Sequence, residues 1–367
     1  MKISFKLPIE KDIIIFDKEG SNEIADNVLK EGYKYTILDT RSYLIYLNPL
    51  FIIRYIYLLI KNLNFKEKIT RQLFHIYFLN ILGYIKPKVV ITYIDNNSIY
   101  LWLIQNYKKC DFIAIQNGIR QNFENSTYKN ICKHDHFYCF GNYDIKKHAD
   151  LGCIIDKGYS VGSFRAGLLL SNSKFSKKKY DLCIISSDGR RDPNIIKEIG
   201  IKNIAINNRK IDSVLKKYII ENNLKLVVAL STNSKNEKEY YRSVFGQDVM
   251  LIERSKPLST YETINQSRVS VSFMSSMILE AIGLGNKALS IHFNDTNLYF
   301  DYPNEIKYLY KDYTLFNKYM NDLLEMTDLE YLNKIKLVKE YVMNNDSKNP
   351  PHRIIRKHIE NIIGKRK

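Results

Sequence analysis

The chain has 367 residues, 45% of them hydrophobic and 26% charged, with 56 Lys and Arg against 39 Asp and Glu for a formal charge of +17. Those proportions exclude a wholly disordered chain, and the length exceeds what one core usually supports, so two domains are expected. No compact basic motif of a DNA- or RNA-binding module is present, which turns the charge away from nucleic acid and toward an anionic membrane surface, a nucleotide donor or an acidic glycan, unless heavy use of Lys, Asn and Ile simply reflects base composition.

In chain order, short apolar and β-branched runs predict strands at Asp12–Asp17, Tyr33–Asp39, Lys88–Asp95, Phe112–Asn117, His136–Gly141 and Gly158–Ser163. Helices are expected between them, over Ser42–Asn62, Lys66–Ile85 and Asn97–Lys108. Strands that alternate with helices in this way predict a parallel sheet. The most apolar window, "SYLIYLNPLFIIRYIYLLI" from Ser42 to Ile60, is interrupted by Asn48, Pro49 and Arg54 and is not a membrane span. It reads as a buried helix of the first domain, or as an amphipathic helix touching a membrane with Lys61, Lys66, Lys68 and Arg71 close by.

"SNSKFSKKKY", Ser171 to Tyr180, is polar and cationic and has no apolar period, as a linker should. After it the alternation restarts, with strands predicted at Asp181–Ser186, Lys202–Asn207, Leu224–Ser231, Val249–Arg254, Arg268–Phe273 and Lys287–Phe293. The tail from Leu315 reads as helices broken near Ser347–Pro351. The expected division is residues 1–170, a linker over 171–180, a second domain over 181–335, and C-terminal helices over 336–367.

Five cysteines without regular spacing, and no N-terminal signal peptide, point to a reducing cytoplasm and free thiols. "CKHDHFYC" brings Cys132, His134, His136 and Cys139 close in sequence. Strand alternation would put His136 and Cys139 on opposite faces, so a metal site is not expected there.

Polar residues that end core strands are the candidates for chemistry, because open parallel sheets bind ligands at the carboxyl ends of their strands. "FIAIQNGIR" runs from buried Phe112 into Gln116, Asn117, Gly118 and Arg120. "TYIDNN" ends the preceding strand on Asp95, which is either a helix N-cap, an acceptor ligand or a base. "VGSFRAG" adds Arg165. In the second half, "IISSDGRRDP" offers Ser186, Ser187, Asp188 and Arg190; a carboxylate flanked by guanidinium groups stays ionised and can act as nucleophile or base, although Asp-Gly is also a common turn. "SFMSSMILEAIGLG" sets Ser275 and Ser276 ahead of a helix that carries Glu280, a pattern able to hold a phosphate and a sugar hydroxyl pair, or to do no more than cap the helix.

These same stretches, "YIDNNSIYLWL…FIAIQNGIR…FYCFGNYD…YSVGSFRAG" and "SFMSSMILEAIGLGNKALSI", resemble bacterial surface-carbohydrate biosynthesis proteins, GT-B-type glycosyltransferases of lipopolysaccharide and capsule loci. The resemblance spans about residues 88–293, with Gln-Asn-Gly-x-Arg its most specific block. It implies an α/β, GT-B fold of two Rossmann-like domains facing across a cleft, donor on the C-terminal side and acceptor on the N-terminal side, with trailing helices. A more distant similarity to retaining β-Kdo transferases implies a CMP-linked ulosonic acid donor such as Kdo. It also implies Asp188 as nucleophile, Ser275 and Ser276 around the CMP phosphate, and Asp95 as base if the reaction inverts instead. Arg120, Arg165 and Arg190 then suit the sugar carboxylate. No Asp-x-Asp occurs, so no metal and no other cofactor is expected beside the nucleotide sugar.

The expected function is therefore a cytoplasmic glycosyltransferase of surface polysaccharide assembly. It would use a nucleotide-sugar donor and a glycan or lipid-linked glycan acceptor, in peripheral contact with the inner membrane. The alternatives are an NDP-sugar or CDP-polyol transferase on the same fold, a two-Rossmann epimerase, and a non-catalytic glycan- or lipid-binding assembly partner.

Overall fold

The computed structural model describes residues 2–42, 44–64, 68–119, 132–172, 177–187, 199–231, 235–256, 258–273, 275–293 and 303–365. The chain divides into two compact units, the first built from residues up to 118, 132–164 and 348–365, the second from the described part of 165–347.

In chain order the first unit begins with β1 (Lys2–Ser4), β2 (Ile13–Phe16), α1 (Ser21–Asn27), β3 (Tyr35–Leu38), β4 (Leu44–Tyr46), α2 (Pro49–Asn62) and α3 (Ile69–Ile85). It continues through β5 (Val89–Thr92), α4 (Ser98–Asn106), β6 (Asp111–Ile115), β7 (Lys133–Cys139), α5 (Asn142–Asp150) and β8 (Ile154–Ser160) to Phe164, the first residue of α6 (Phe164–Asn172), whose remainder belongs to the second unit. The runs IIIF of β2 and VVIT of β5 are buried along their whole length, as only a parallel sheet with both faces covered permits. Six parallel strands lie in the order β3-β2-β5-β6-β7-β8, while β1 pairs with β4 apart from them. Phe16, Phe78, Tyr100 and Phe112 meet edge-on or tilted in the core beneath the sheet.

The second unit runs β9 (Tyr180–Ile185), α7 (Ile199–Glu221), β10 (Leu226–Ala229), α8 (Lys235–Phe245), β11 (Met250–Ile252), α9 (Ser259–Asn265) and β12 (Ser267–Ser272). Then come α10 (Met277–Gly283), β13 (Lys287–His292), β14 (Lys307–Leu309), α11 (Tyr313–Glu325) and α12 (Asp328–Val342). Its six parallel strands lie in the order β11-β10-β9-β12-β13-β14. Finally α13 (Pro351–Lys365) returns to the first unit, where it packs on α1 and β5.

Several sequence expectations change. The run Lys202–Asn207 is helical, not a strand: Ala205, Asn208, Ile211, Leu215 and Tyr218 are buried at a spacing of three to four, which is the period of a helix. The window from Ser42 splits into β4 and α2, and α2 is not a core helix, since of its residues only Phe51 is fully buried. Within the expected linker, α6 extends to Asn172 and β9 starts at Tyr180. Cys132 and Cys153 form a disulfide across 21 residues where free thiols were expected; Cys110, Cys139 and Cys183 are free and buried. Among the described residues, no helix is long and apolar enough to cross a membrane.

Candidate active site

Both sheets have a topological switch point, where successive strands leave a central strand in opposite directions. In the first unit it lies between β2 and β5, in the second between β9 and β12. Loops diverge there and leave a crevice at the carboxyl ends of the strands, which is where open α/β sheets bind ligands. Of the residues picked out of the sequence, Asp95, Ser186, Ser187, Ser275 and Ser276 follow strands that flank these two points, and Gln116, Asn117 and Gly118 follow β6, the next strand along.

In the first unit, β2 is followed by Asp17, a buried non-glycine residue with φ +77°. That left-handed conformation is tolerated because the carboxylate accepts from its own loop, the Lys18 N–H at 2.7 Å and the Glu19 N–H at 3.3 Å. Its other oxygen accepts from Thr40 Oγ1 at 2.6 Å and Asn97 Nδ2 at 3.4 Å. Asn97 also caps α4, its Oδ1 accepting from the N–H of Ile99 and of Tyr100. One carboxylate thus fixes the loops after β2, β3 and β5.

Asp95 is fully buried, and its Oδ1 accepts from the Asn117 N–H at 3.3 Å. Gln116, expected as an amide offered to a ligand, is buried too. Its Oε1 accepts from the Phe140 N–H at 2.9 Å, and its Nε2 donates to Gly118 O at 3.0 Å and to Asp144 Oδ1 at 2.6 Å. These two side chains tie the ends of β5, β6 and β7 together and so set the position of the half-buried Asn117 and Gly118. Arg120 lies outside the described residues. Arg165 is buried in the first turn of α6.

In the second unit, Ser186 and Ser187 follow β9 and are buried. Ser186 Oγ donates to the carboxylate of Glu237, which also accepts from the backbone N–H and the hydroxyl of Ser231, both at 2.9 Å. Ser187 Oγ donates to Asn208 Oδ1 at 3.2 Å. Across the switch point, Ser272 Oγ donates to Ile185 O at 2.8 Å and stitches β12 to β9. Ser275 and Ser276 are half-buried; Ser275 Oγ accepts from the Met277 N–H at 3.3 Å, and Ser276 makes no side-chain cap to α10. Glu280, expected to meet a sugar, is buried and accepts from Tyr261 Oη at 2.5 Å. Asp188 and Arg190 lie outside the described residues.

Sequence reasoning missed Asp17, Asp144, Glu237 and His292. His292 ends β13, packs its ring against Phe273, and has Nε2 2.8 Å from Ser290 Oγ. Because that hydroxyl donates to Phe273 O at 2.7 Å, the imidazole donates in turn to Ser290. Cys132, His134 and Cys153 group their ligand atoms within 4.8 Å of one another, a different set from the one the sequence suggested, and two of its sulfurs are joined in the disulfide.

No family model matches the chain, and no curated protein does. Solved structures share its fold. The wall teichoic acid polymerase TagF is 11% identical, over 98% of this chain and 90% of that one, with a TM-score of 0.56. The UDP-GlcNAc 2-epimerase from Neisseria meningitidis bound to UDP-GlcNAc is 14% identical over 100% of both chains, with a TM-score of 0.56. MnaA of S. aureus with UDP is 11% identical, over 99% of this chain and 97% of that one, with a TM-score of 0.55. A TagF variant soaked with CDPG gives a TM-score of 0.57 at 12% identity. This likeness, together with the two six-stranded parallel sheets, defines the fold as α/β of the GT-B type, built of two Rossmann-like domains.

Proposed function

We propose that this protein is a nucleotide-sugar-dependent glycosyltransferase of bacterial surface polysaccharide assembly, acting on the cytoplasmic side where nucleotide donors are made. The observation that carries the reading is the concentration of hydroxyls and amides at the carboxyl ends of both sheets, Ser186, Ser187, Ser275 and Ser276 at the switch point of one unit and Asn117 and Gly118 one strand from that of the other. Solved proteins of the same fold that were captured with UDP, UDP-GlcNAc or CDPG support a nucleotide-linked donor.

The donor we favour is a CMP-linked ulosonic acid such as Kdo, on the resemblance stated above. Asp188 would attack the anomeric carbon, forming the carboxylate–carbon bond as the carbon–phosphate oxygen bond breaks and CMP leaves toward Ser275 and Ser276. The acceptor hydroxyl then displaces Asp188, losing its proton to a base. Arg120, Arg165 and Arg190 are proposed for the sugar carboxylate. The buried, hydrogen-bonded Asp95 suits a positioning role rather than that of a base. A second reading is a CDP-polyol transferase, and the TagF–CDPG structure favours it.

A thermal-shift titration with CMP, CDP, UDP and GDP, with and without magnesium, separates them, since a ligand that binds the folded state raises the midpoint by mass action. A shift with CMP, lost in Ser275→Ala/Ser276→Ala, supports the CMP-sugar donor; Asp188→Asn should then retain CMP binding and abolish transfer. A shift confined to CDP moves the assignment to the polyol donor. A shift with UDP or GDP alone discards both. No shift with any nucleotide overturns the enzymatic reading.

A further inference from the structure

Helix α2 is built inside out. Its inward face carries Phe51, buried against Tyr46, Tyr77 and Tyr84. It also carries Arg54, whose Nη1 donates to Asn80 O at 3.4 Å and whose guanidinium lies 4.9 Å from the Tyr84 ring centroid. The outward face is apolar: Leu50, Ile53, Ile56, Tyr57 and Ile60 recur at helical spacing and all are exposed, Ile60 to 80% and Ile53 to 65%. A soluble helix normally shows the opposite arrangement, with its guanidinium in water and its isoleucines in the core.

The arrangement is pinned in place. Asn48 caps α2, its Oδ1 accepting from the Leu50 N–H at 3.0 Å, while its Nδ2 donates to Phe5 O at 3.1 Å. Tyr84 Oη donates to Leu50 O at 3.0 Å, Tyr55 Oη to Leu73 O at 2.9 Å, and Asn80 Nδ2 to Phe51 O at 3.0 Å. Residue 83 is glycine, and the Arg54 guanidinium occupies the space a side chain would take there, a Cβ falling 1.9 Å from Nη2 unless the guanidinium moved. Rolling α2 over to bury its isoleucines would break this set. The exposed apolar surface continues onto α3 through Ile69, Leu73 and Phe74, and onto the N-terminal segment through Phe5.

What covers this face is indicated by charge. Residues 44–88 hold seven Lys and Arg and a single acid, Glu67. Lys61, Lys68 and Arg71 are exposed and border the apolar stripe at the α2 C-terminus and the α3 N-terminus. A second copy of the chain would bring like charges together, whereas an anionic bilayer supplies apolar depth and negative headgroups at once. At 14 residues α2 is about 21 Å long, too short to span a bilayer but suited to lie in its surface.

We propose that α2, α3 and the N-terminal segment form a docking surface for an anionic phospholipid bilayer, with the isoleucine stripe inserted below the headgroups and Lys61, Lys68 and Arg71 among them. This goes beyond the proposed transferase activity and stands independently of it.

The test is flotation of the full chain with phosphatidylcholine vesicles, with and without about one third phosphatidylglycerol. The native chain should float with the anionic vesicles, with recovery falling at least about tenfold at high salt or without phosphatidylglycerol. Ile53→Glu/Ile60→Glu should abolish flotation with its thermal midpoint unchanged, because both side chains already face solvent. Lys61→Glu/Lys68→Glu should lose only the preference for anionic lipid. Failure of the native chain to float, or flotation unaffected by Ile53→Glu/Ile60→Glu, overturns the proposal. So does sedimentation as a dimer that this double variant dissociates, which would make a second copy the occupant. The nucleotide titration above reads neither variant, so failure here and failure of the transferase reading are separate results.

Discussion

The hydroxyl of Ser186 donates to the carboxylate of Glu237, a residue 51 positions further along the chain. The same carboxylate oxygen accepts twice from Ser231, so one buried acid joins the loops that follow β9 and β10. Replacing Glu237 by Ala leaves a buried hydroxyl and a backbone N–H without their acceptor. The expected cost is about 1–3 kcal/mol, a drop in Tm of several degrees for a unit of this size. Glu237→Gln keeps one acceptor oxygen and should lose less. Differential scanning calorimetry of both variants, with and without nucleotide, checks this; weaker nucleotide protection in Glu237→Ala is expected as Ser186 loses its anchor.

Gln116 gives a parallel prediction in the first unit. Gln116→Leu retains the volume but strips partners from the Phe140 N–H, Gly118 O and Asp144. A loss of about 2–3 kcal/mol is expected in urea unfolding. Gln116→Glu should place a second carboxylate beside Asp144 and be the worse of the two at neutral pH, recovering in part as pH falls.

Three histidines make stability pH-dependent. Burial, reinforced by Arg71, holds His75 down at about 4; burial, with Arg353 and Arg356 nearby, does the same for His352; and burial, together with His136, lowers His358 to about 4. The folded state therefore keeps these rings neutral at pH values where the unfolded chain, near 6.5, takes up protons. Their contribution is present above about 6.5 and is lost as pH falls from there toward 4, by at most about 1.4 kcal/mol per histidine per pH unit. Tm measured from pH 7 to pH 5 should fall, and His75→Phe should flatten part of the slope.

The disulfide predicts a redox effect. Cys132 and Cys153 close a loop of 21 residues, and cross-links of that span stabilise by about 3 kcal/mol through the unfolded chain. Cys132→Ser/Cys153→Ser, or treatment with a reductant, should lower the unfolding midpoint in denaturant, and the reductant should leave the double variant unchanged. Equal stability with and without reductant would show the bond to contribute nothing.

Much of the frame is legible in the sequence because β2, β5 and β10 are short apolar runs and β6 and β9 end in one. Their polar ends, Gln116 and Ser186 among them, are legible for the same reason, since an amide or hydroxyl closing such a run stands out. The partners are not. Glu237 and Asp144 lie in the first turns of helices where an acid is commonplace, and only the fold reveals that they meet Ser186 and Gln116. In α7, Ile204-Ala205-Ile206 taken alone has the composition of a strand, and the helical period appears only when Asn208, Ile211, Leu215 and Tyr218 are added. For α2, hydropathy registers how many apolar residues there are but not which side they face; the tether of Arg54 to Asn80 and Tyr84 decides that.

The last helix adds a constraint of a different kind. Lys30 pairs with Glu360 at 2.8 Å, Arg356 Nη2 donates to Asn27 O at 2.6 Å, and His358 Nδ1 meets the Tyr138 hydroxyl. On a ribosome, α1 and β7 emerge long before α13, and the entire second unit is made in between. The first unit must therefore wait, incompletely covered, until α13 has been made. A nascent chain stalled after α12 would present an open flank to chaperones and proteases, which makes synthesis of α13 a checkpoint for the first unit.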